Sequence, residues 1–303
     1  MMHEKTLVIL CGPTAVGKTK SAIALAQHFK SVIISADSRQ FYKELVIGTA
    51  APTPDELAQA KHYLTGHLSI HDYYNVSMYE SDALQIINNE FKHRNLVIAA
   101  GGSGLYLDVL CHGIDNLPDV NFSLRKELAG KLQENGLTWL QEEVKKYDPA
   151  YYAETDINNH KRLLRALEII HITGKRYSDL RVRELQPRPF KIIKTGLFRE
   201  REILFNRIEK RTDQMLAQGL EKECRALYPC RHLNALNTVG YKEMFHYFDG
   251  TYNLDQAIEK IKVNTRRYAK RQLTWFKRDA AITWFHPDDT EKIITHIRKT
   301  DSE

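Results

Sequence analysis

The sequence is poor in cysteine and arranges what it has in no metal-binding pattern. Cys11, Cys111, Cys224 and Cys230 form no C-x-x-C pair and no Cys/His array of zinc-finger spacing, which excludes a zinc finger and a dithiol redox motif. Reduced, mostly buried thiols are the expectation. Long apolar runs are also missing: none approaches the ~20 residues that a membrane span needs. The opening MMHEKTLVILCGPT has one short apolar run that leads straight into a Gly-Pro turn, unlike a secretory leader. A cytoplasmic protein with no membrane partner is therefore expected. There is no internal repeat and no low-complexity tract. Neither charge sign is scarce: 44 Lys and Arg against 38 Asp and Glu leave +6. So mild an excess acquires meaning only from its placement.

The 303 residues suffice for one large or two smaller domains. KTLVIL (5–10), SVIISA (31–36), LVIAAGG (96–102) and PFKIIKTGLF (189–198) read as buried strands. GKTKSAIALAQHFK carries Ile23, Leu25, Ala26 and Phe29 on one helical face, and YESDALQIINNEFKHRN (79–95) is amphipathic. Strands alternating with helices imply an α/β fold, a P-loop-type parallel sheet with helices on both faces. From residue 119 the strand signal fades, and FSLRKELAGKLQENGLTWLQEEVKKYDP and NNHKRLLRALEIIHITGKRYSDLRVREL are helical in period. The expected organisation is a core of 1–118 and 189–303, ending in helices, interrupted by a helical insertion at 119–188. Nothing points to an oligomer, and a monomer is the expectation.

GPTAVGKT (12–19) fits G-x-x-x-x-G-K-[ST] at every fixed position, with a strand before it and a helix after. Gly12 and Gly17 allow the tight turn, and the amides of Pro13–Gly17 flank the point at which phosphate would sit, except that Pro13 has no N–H to give. Thr14, Ala15 and Val16 supply the rest of the cradle. The following helix turns its positive end to the same point. Lys18 adds a cation, and the Thr19 hydroxyl is a candidate ligand for Mg²⁺. The pattern is specific for polyphosphate and unspecific for the reaction. Many nucleotide hydrolases place an Asp at the end of a further strand to hold Mg²⁺, but here that strand ends AAGGSGLY. The acid stands instead after the second strand, in ADSRQ. Asp37 is thus expected at the carboxyl edge of the sheet beside the loop, as a general base for an incoming nucleophile.

Two basic segments stand apart from the loop. NTRRYAKRQLTWFKRD (264–279) carries Arg266, Arg267, Lys270, Arg271, Lys277 and Arg278 with Tyr268, Trp275 and Phe276 between them. Arg267, Lys270, Arg271 and Arg278 can share a helical face, where cations suit phosphate backbone and aromatics suit unpaired bases. In the insertion, Lys161, Arg162 and Arg165 fall in one helical turn, Lys175, Arg176, Arg181, Arg183 and Arg188 follow, and Leu163, Leu164, Leu167 and Ile170 are expected to face a core. Arg207 and Arg211, four residues apart on a third helix, are placed to reach an anion above the loop, or to pair with Glu202 and Glu209. Basic surfaces flanking a phosphate site suggest a nucleic-acid clamp. A metabolite kinase, an enzyme prenylating free adenylate, or a nucleotide-sensing RNA-binding protein are the alternatives.

GPTAVGKT, ADSRQFYKELVIGTAAPT, GGSGLYLDVL, HKRLLRALEI, RIEKRTDQMLAQGLEKE, NTVGYKE and NTRRYAKRQLTWFKR occur in this order. Together they resemble the tRNA dimethylallyltransferase family (isopentenyl-pyrophosphate transferases) over nearly the whole chain. The resemblance implies transfer of a dimethylallyl group from dimethylallyl pyrophosphate to N6 of adenosine 37 in tRNAs reading codons that begin with U, with Mg²⁺. The loop would then hold the pyrophosphate leaving group, with Arg207 and Arg211 nearby and Asp37 as base on the adenine amine. It implies tRNA contacts, at the anticodon stem-loop, from Asp37, Ser38, Arg39, Gln40 and Ser103. In the insertion the same is implied for Lys161, Arg162, Leu163, Leu164 and Arg165, and Arg125, Arg267, Lys270 and Arg271 join this set. Ser103 stands where the family usually has Thr, and His160 and Lys161 where Asn, Pro or Gln are commoner. The chain ends without the zinc finger that eukaryotic relatives often carry, as in bacterial members.

Overall fold

The computed structural model describes residues 5–115, 117–181 and 186–302. The chain divides into two compact units, Met1–His112 with Arg188–Glu303, and Gly113–Pro187. The first is built on strands β1 (Thr6–Cys11), β2 (Ile33–Ser35), β3 (His62–Tyr63), β4 (Leu96–Gly101), β5 (Lys191–Leu197) and β6 (Thr283–Phe285). Its helices are α1 (Lys18–His28), α2 (Pro54–Gln59), α3 (Val76–Glu90) and α4 (Gly104–His112) before the second unit. The second unit holds α5 (Phe122–Tyr147), α6 (Pro149–Glu154), α7 (His160–Thr173) and α8 (Tyr177–Leu180). The first unit then resumes with α9 (Arg201–Ala217), α10 (Leu220–Leu227), α11 (Tyr241–Phe248), α12 (Leu254–Phe276) and α13 (Thr290–Ser302).

All pairings in the sheet are parallel, in the order β3-β2-β4-β1-β5-β6. The most apolar segment, TLVILC, is buried throughout and lies inside the sheet, between β4 and β5, where a strand covered on both faces belongs. Successive side chains alternate between faces. Val8 and Leu10 join Ile98 of β4, Ile23 and Leu25 of α1 and Ile293 and Ile297 of α13 in one core cluster. The opposite face is covered by α4. Cys11 is in register with both Gly101 and Gly196, so the loops leaving β1, β4 and β5 emerge at one level. A second cluster, built from Tyr42, Leu45, Leu220, Tyr241, Met244 and Ile261, unites the segment after β2 with α10–α12. Cys11, Cys111 and Cys224 are buried free thiols, and Cys230 is half-buried. Among the described residues no helix is long and apolar enough to cross a membrane.

In the second unit, Leu128, Leu140, Val144, Leu163 and Leu167 form the core. Gly136, with φ 76°, interrupts the helical path of α5. Buried Asp148 caps α6 through Tyr151 N (3.0 Å) and also accepts from Ser178 N (2.7 Å) and Ser178 Oγ (2.8 Å). These bonds fix the connection that leads from α5 through α6 to α8.

Candidate active site

Two half-turns of sequence build the anion cradle. After β1 the chain reverses through Gly12–Gly17, and Gly17 caps α1 in the left-handed region with φ 116°, a conformation that glycine adopts without the Cβ penalty. Lys18, first in α1, donates from Nζ to Gly12 O (3.0 Å) and Pro13 O (2.8 Å). It is recessed, and desolvation pushes its ammonium down to about 8. Asp37 opposes that fall and Arg211 adds to it. From α9, Arg211 Nη1 donates to Thr14 Oγ1 (3.3 Å) and Nη2 to Thr49 O (3.2 Å). Arg207 Nε donates to Ala15 O (2.8 Å). Desolvation lowers the Arg211 guanidinium, with Asp37 opposing. Pro13 and Val16 shape the turn from behind: Val16 is fully buried, and its carbonyl accepts from Arg199 Nε (3.0 Å).

Lys18, Thr19, Asp37, Gln40, Arg207, Arg211 and the loop residues Thr14, Ala15 and Gly17 line one cavity of about 470 Å³. Asp37 arrives there because Ala36 N bonds to Ala100 O (2.8 Å) and Ser103 N to Ala36 O (3.2 Å), which lash the end of β2 to the loop after β4. The Asp37 carboxylate accepts from Arg39 N (3.0 Å), leaving lone pairs for another donor. Ser38 N donates to Ser103 Oγ (3.1 Å), and Gln40 Nε2 to Thr49 O (3.2 Å) and Ala50 O (3.0 Å). Arg39 Nη1 is held by Asn234 O (2.9 Å) and Ala235 O (3.2 Å). A smaller cavity of about 100 Å³ adjoins Asp37 and is lined by Thr14, Arg211, Ile208, Met215, Val239 and Tyr268 among others.

Sequence reasoning missed Gln272. Its Oε1 accepts from Thr14 N (2.9 Å) and its Nε2 donates to Gly102 O (2.8 Å), tying α12 to the phosphate loop and to the loop after β4. The spacing Tyr268, Gln272, Trp275 was the available signal, since it is one helical face. The aromatics expected to await bases are largely spent on this inner face. Tyr268 meets Ser103, and burial, then the Asp37 charge, push its phenol up to about 12. Trp275 Nε1 donates to Asp108 Oδ2 (3.0 Å), and Phe276 is buried. The outer face keeps Arg267, Lys270, Arg271 and Arg278 together with the exposed edge of Trp275. Arg266 departs from them to pair with Glu209 (2.7 Å) and Glu259 (3.2 Å).

In the second unit several residues of the expected RNA set have partners within the unit. Leu163 is fully buried and half-buried Leu164 packs against the same core, as their helical spacing implied. Arg125 and Arg165 both grip buried Glu168 (2.8 Å each), which makes them part of a structural ion-pair group. Arg181 pairs with Glu154 (2.9 Å) and lies against Tyr151 and Tyr177. In the first unit Arg188 is inside, bound to Glu80 and to Leu110 O (2.9 Å). Lys161 and Arg162 are exposed. Arg183 lies outside the described residues.

Residues 40–279 match the family model described as IPP transferase. A protein named tRNA dimethylallyltransferase 2 from Parabacteroides distasonis is 52% identical over 292 residues, covering 96% of this chain and 98% of its own. Among solved structures, the full-length tRNA isopentenylpyrophosphate transferase from Bacillus halodurans superposes with a TM-score of 0.74 at 35% identity, covering 99% of this chain and 97% of that one. A eukaryotic dimethylallyltransferase crystallised while acting on tRNA gives 0.73 at 26% identity, over 89% of this chain and 69% of its own. The family model covers most of the chain, and the relatives match it from end to end: the chain belongs to the IPP transferase family.

Proposed function

We propose that this enzyme transfers the dimethylallyl group of dimethylallyl pyrophosphate to N6 of adenosine 37 in tRNAs that read codons beginning with U. The observation that carries the reading is the shared cavity, in which Asp37 faces Lys18, Thr19 and Arg211. An exocyclic adenine amine is a weak nucleophile because its lone pair is delocalised into the ring. Asp37 takes the N6 proton as the N6–C1 bond forms and the C1–O bond to pyrophosphate breaks. Lys18, the loop amides, Arg207 and Arg211 neutralise the charge that gathers on the leaving group. The donor set fits a Mg²⁺ carried mainly by the pyrophosphate. Thr19 offers a hydroxyl in the cavity, and among the described residues no cluster of three or more His, Cys, Asp or Glu stands ready to cage a metal. When bound, the ion supplies further neutralisation of the pyrophosphate.

The target base must leave the RNA stack, which costs a few kcal/mol. Ser38, Arg39, Gln40 and Ser103 flank Asp37 and are read as contacts to the extruded nucleotide and its neighbours. Arg267, Lys270 and Arg271 on α12, and Lys161 and Arg162 in the insertion, are read as phosphate contacts to the anticodon stem-loop. All of these groups come from one chain, and we take the working form to be a cytoplasmic monomer. Incubation with unmodified tRNA, labelled dimethylallyl pyrophosphate and Mg²⁺ tests the reading. Label is expected in RNA at adenosine 37. Label that stays out of RNA, or consumption of ATP instead, refutes it.

A further inference from the structure

The segment NTVGYKE and the loop ELVIGTAA meet at one carboxylate. Glu223 of α10 accepts three successive backbone donors, Val46 N (3.2 Å), Ile47 N (2.8 Å) and Gly48 N (2.9 Å), and the Tyr241 hydroxyl (2.6 Å). Tyr241 is fully buried, and its ring lies so close to Gly48 that a Cβ there would sit 2.6 Å from it. Burial, then the Glu223 charge, raise the Tyr241 phenol well above its ordinary range, so it remains a donor. Tyr241 is set in place by its own turn, where buried Glu243 accepts from Gly240 N (2.8 Å) and from Asn264 Nδ2 of α12 (2.7 Å).

The amides of Val46, Ile47 and Gly48 thus converge on Glu223, the carbonyls of Leu45, Val46 and Ile47 are satisfied within the loop, and those of Thr49 and Ala50 turn to side chains of the site. Thr49 O receives Arg211 Nη2 (3.2 Å), and Thr49 O and Ala50 O receive Gln40 Nε2 (3.2 and 3.0 Å). A loop fixed on one side by a carboxylate and on the other by a guanidinium has little freedom to rotate its peptides. We propose that Glu223 is a positioning residue that acts through loop 45–50 to aim Arg211 at the pyrophosphate. This rests on the reading of Arg211 as a pyrophosphate ligand. Glu223 touches no substrate; it keeps the Thr49 carbonyl where Arg211 needs it.

The test is calorimetric titration of the full-length protein with inorganic pyrophosphate and Mg²⁺. Glu223→Gln turns an amide NH₂ toward backbone donors, and is expected to weaken pyrophosphate about 10-fold, the scale of a charge-assisted hydrogen bond. Arg211→Met is expected to weaken it about 30-fold by the same scale. If Glu223 works through Arg211, the double variant falls within about 2-fold of Arg211→Met, because the route is already cut. Losses that multiply, to about 300-fold, make Glu223 a general structural residue and overturn the proposal. Full pyrophosphate affinity in Glu223→Gln overturns it too. Should Glu223→Gln fail to fold, Tyr241→Phe removes one of the four donors and keeps the charge. Its smaller loss, about 3-fold, must vanish in the Arg211→Met background, and an undiminished loss there refutes the mechanism. Wild-type protein that does not bind pyrophosphate brings down the functional reading itself, whereas wild-type binding with an insensitive Glu223→Gln brings down only the clamp.

Discussion

Lys18 offers a test that reads protons instead of turnover. Desolvation in its recess lowers the ammonium to about 8, against the partial support of Asp37 and with the further opposition of Arg211. A pyrophosphate beside it supplies the missing counter-charge and returns the group to its fully protonated form. The free lysine is ~90% protonated at pH 7, ~50% at pH 8 and ~10% at pH 9, from a single-site titration at that value. Binding should therefore take up about 0.1, 0.5 and 0.9 proton on the lysine's account at these pH values. Calorimetry in buffers of different ionisation heat measures the uptake directly. Pyrophosphate also titrates, so the comparison is Lys18→Arg, whose guanidinium stays charged throughout and which shares the ligand's own protons. The difference between the two proteins should rise through half a proton near pH 8. A difference that stays at zero up to pH 10 refutes a depressed lysine in contact with the ligand. The stability of the ligand-free protein has the matching sign. Between about 8 and the unfolded value of 10.5 the unfolded chain binds the extra proton. The Lys18 contribution therefore makes the free protein more stable as pH rises through that window, and its penalty is complete below it.

Two further outcomes follow from the same geometry. Asp37→Ala should reduce turnover ~10²-fold or more, the scale of general-base loss, while tRNA binding in a filter assay stays nearly intact; near-normal turnover removes Asp37 from the role of base. Replacing Arg267, Lys270 and Arg271 by Gln should lower the slope of log K for tRNA against log salt by about 0.7–0.9 per residue, and an unchanged slope detaches the outer face of α12 from RNA.

The parallel core was legible because TLVILC and LVIAAG are too apolar for anything but a buried position. The strands that escaped notice, His62–Tyr63 and Thr283–Phe285, are two and three residues long at the edges of the sheet, too short to show a period. The phosphate loop was legible because its chemistry is local: one turn supplies glycine, amides, lysine and threonine. Asp37 was legible by the rule that ligands gather at the carboxyl ends of strands. Gln272 and Glu223 were not. Each acts across 170 residues of sequence or more, through bonds from Gln272 to Thr14 N and Gly102 O and from Glu223 to Val46–Gly48, and spacing along the chain does not name the partner in such pairs. Leu163 was legible as a core residue from its helical spacing, whereas the grip of Arg165 on buried Glu168 was not, because the charge of a basic turn does not show which of its members the insertion's own interior claims.

The charge balance of the cavity explains why such a loop can serve a reaction in which phosphate is the leaving group. Lys18 and Arg211 are both depressed by desolvation; Asp37 counters both, and Glu56 adds to it at Arg211. Lys18, Lys20, Arg207, Lys210 and Arg211 line the cavity against Asp37 and Glu56, so the site is short of negative charge, a condition that costs stability in the free protein. A diphosphate relieves it, and relieves it more as the C1–O bond breaks and charge collects on the departing oxygen. Interactions that strengthen along the reaction lower the barrier, whereas those that are equal throughout only tighten binding. On the proposed reading the leaving group needs no proton donor, and that frees Asp37 for the other end of the reaction, where a proton must be taken from nitrogen.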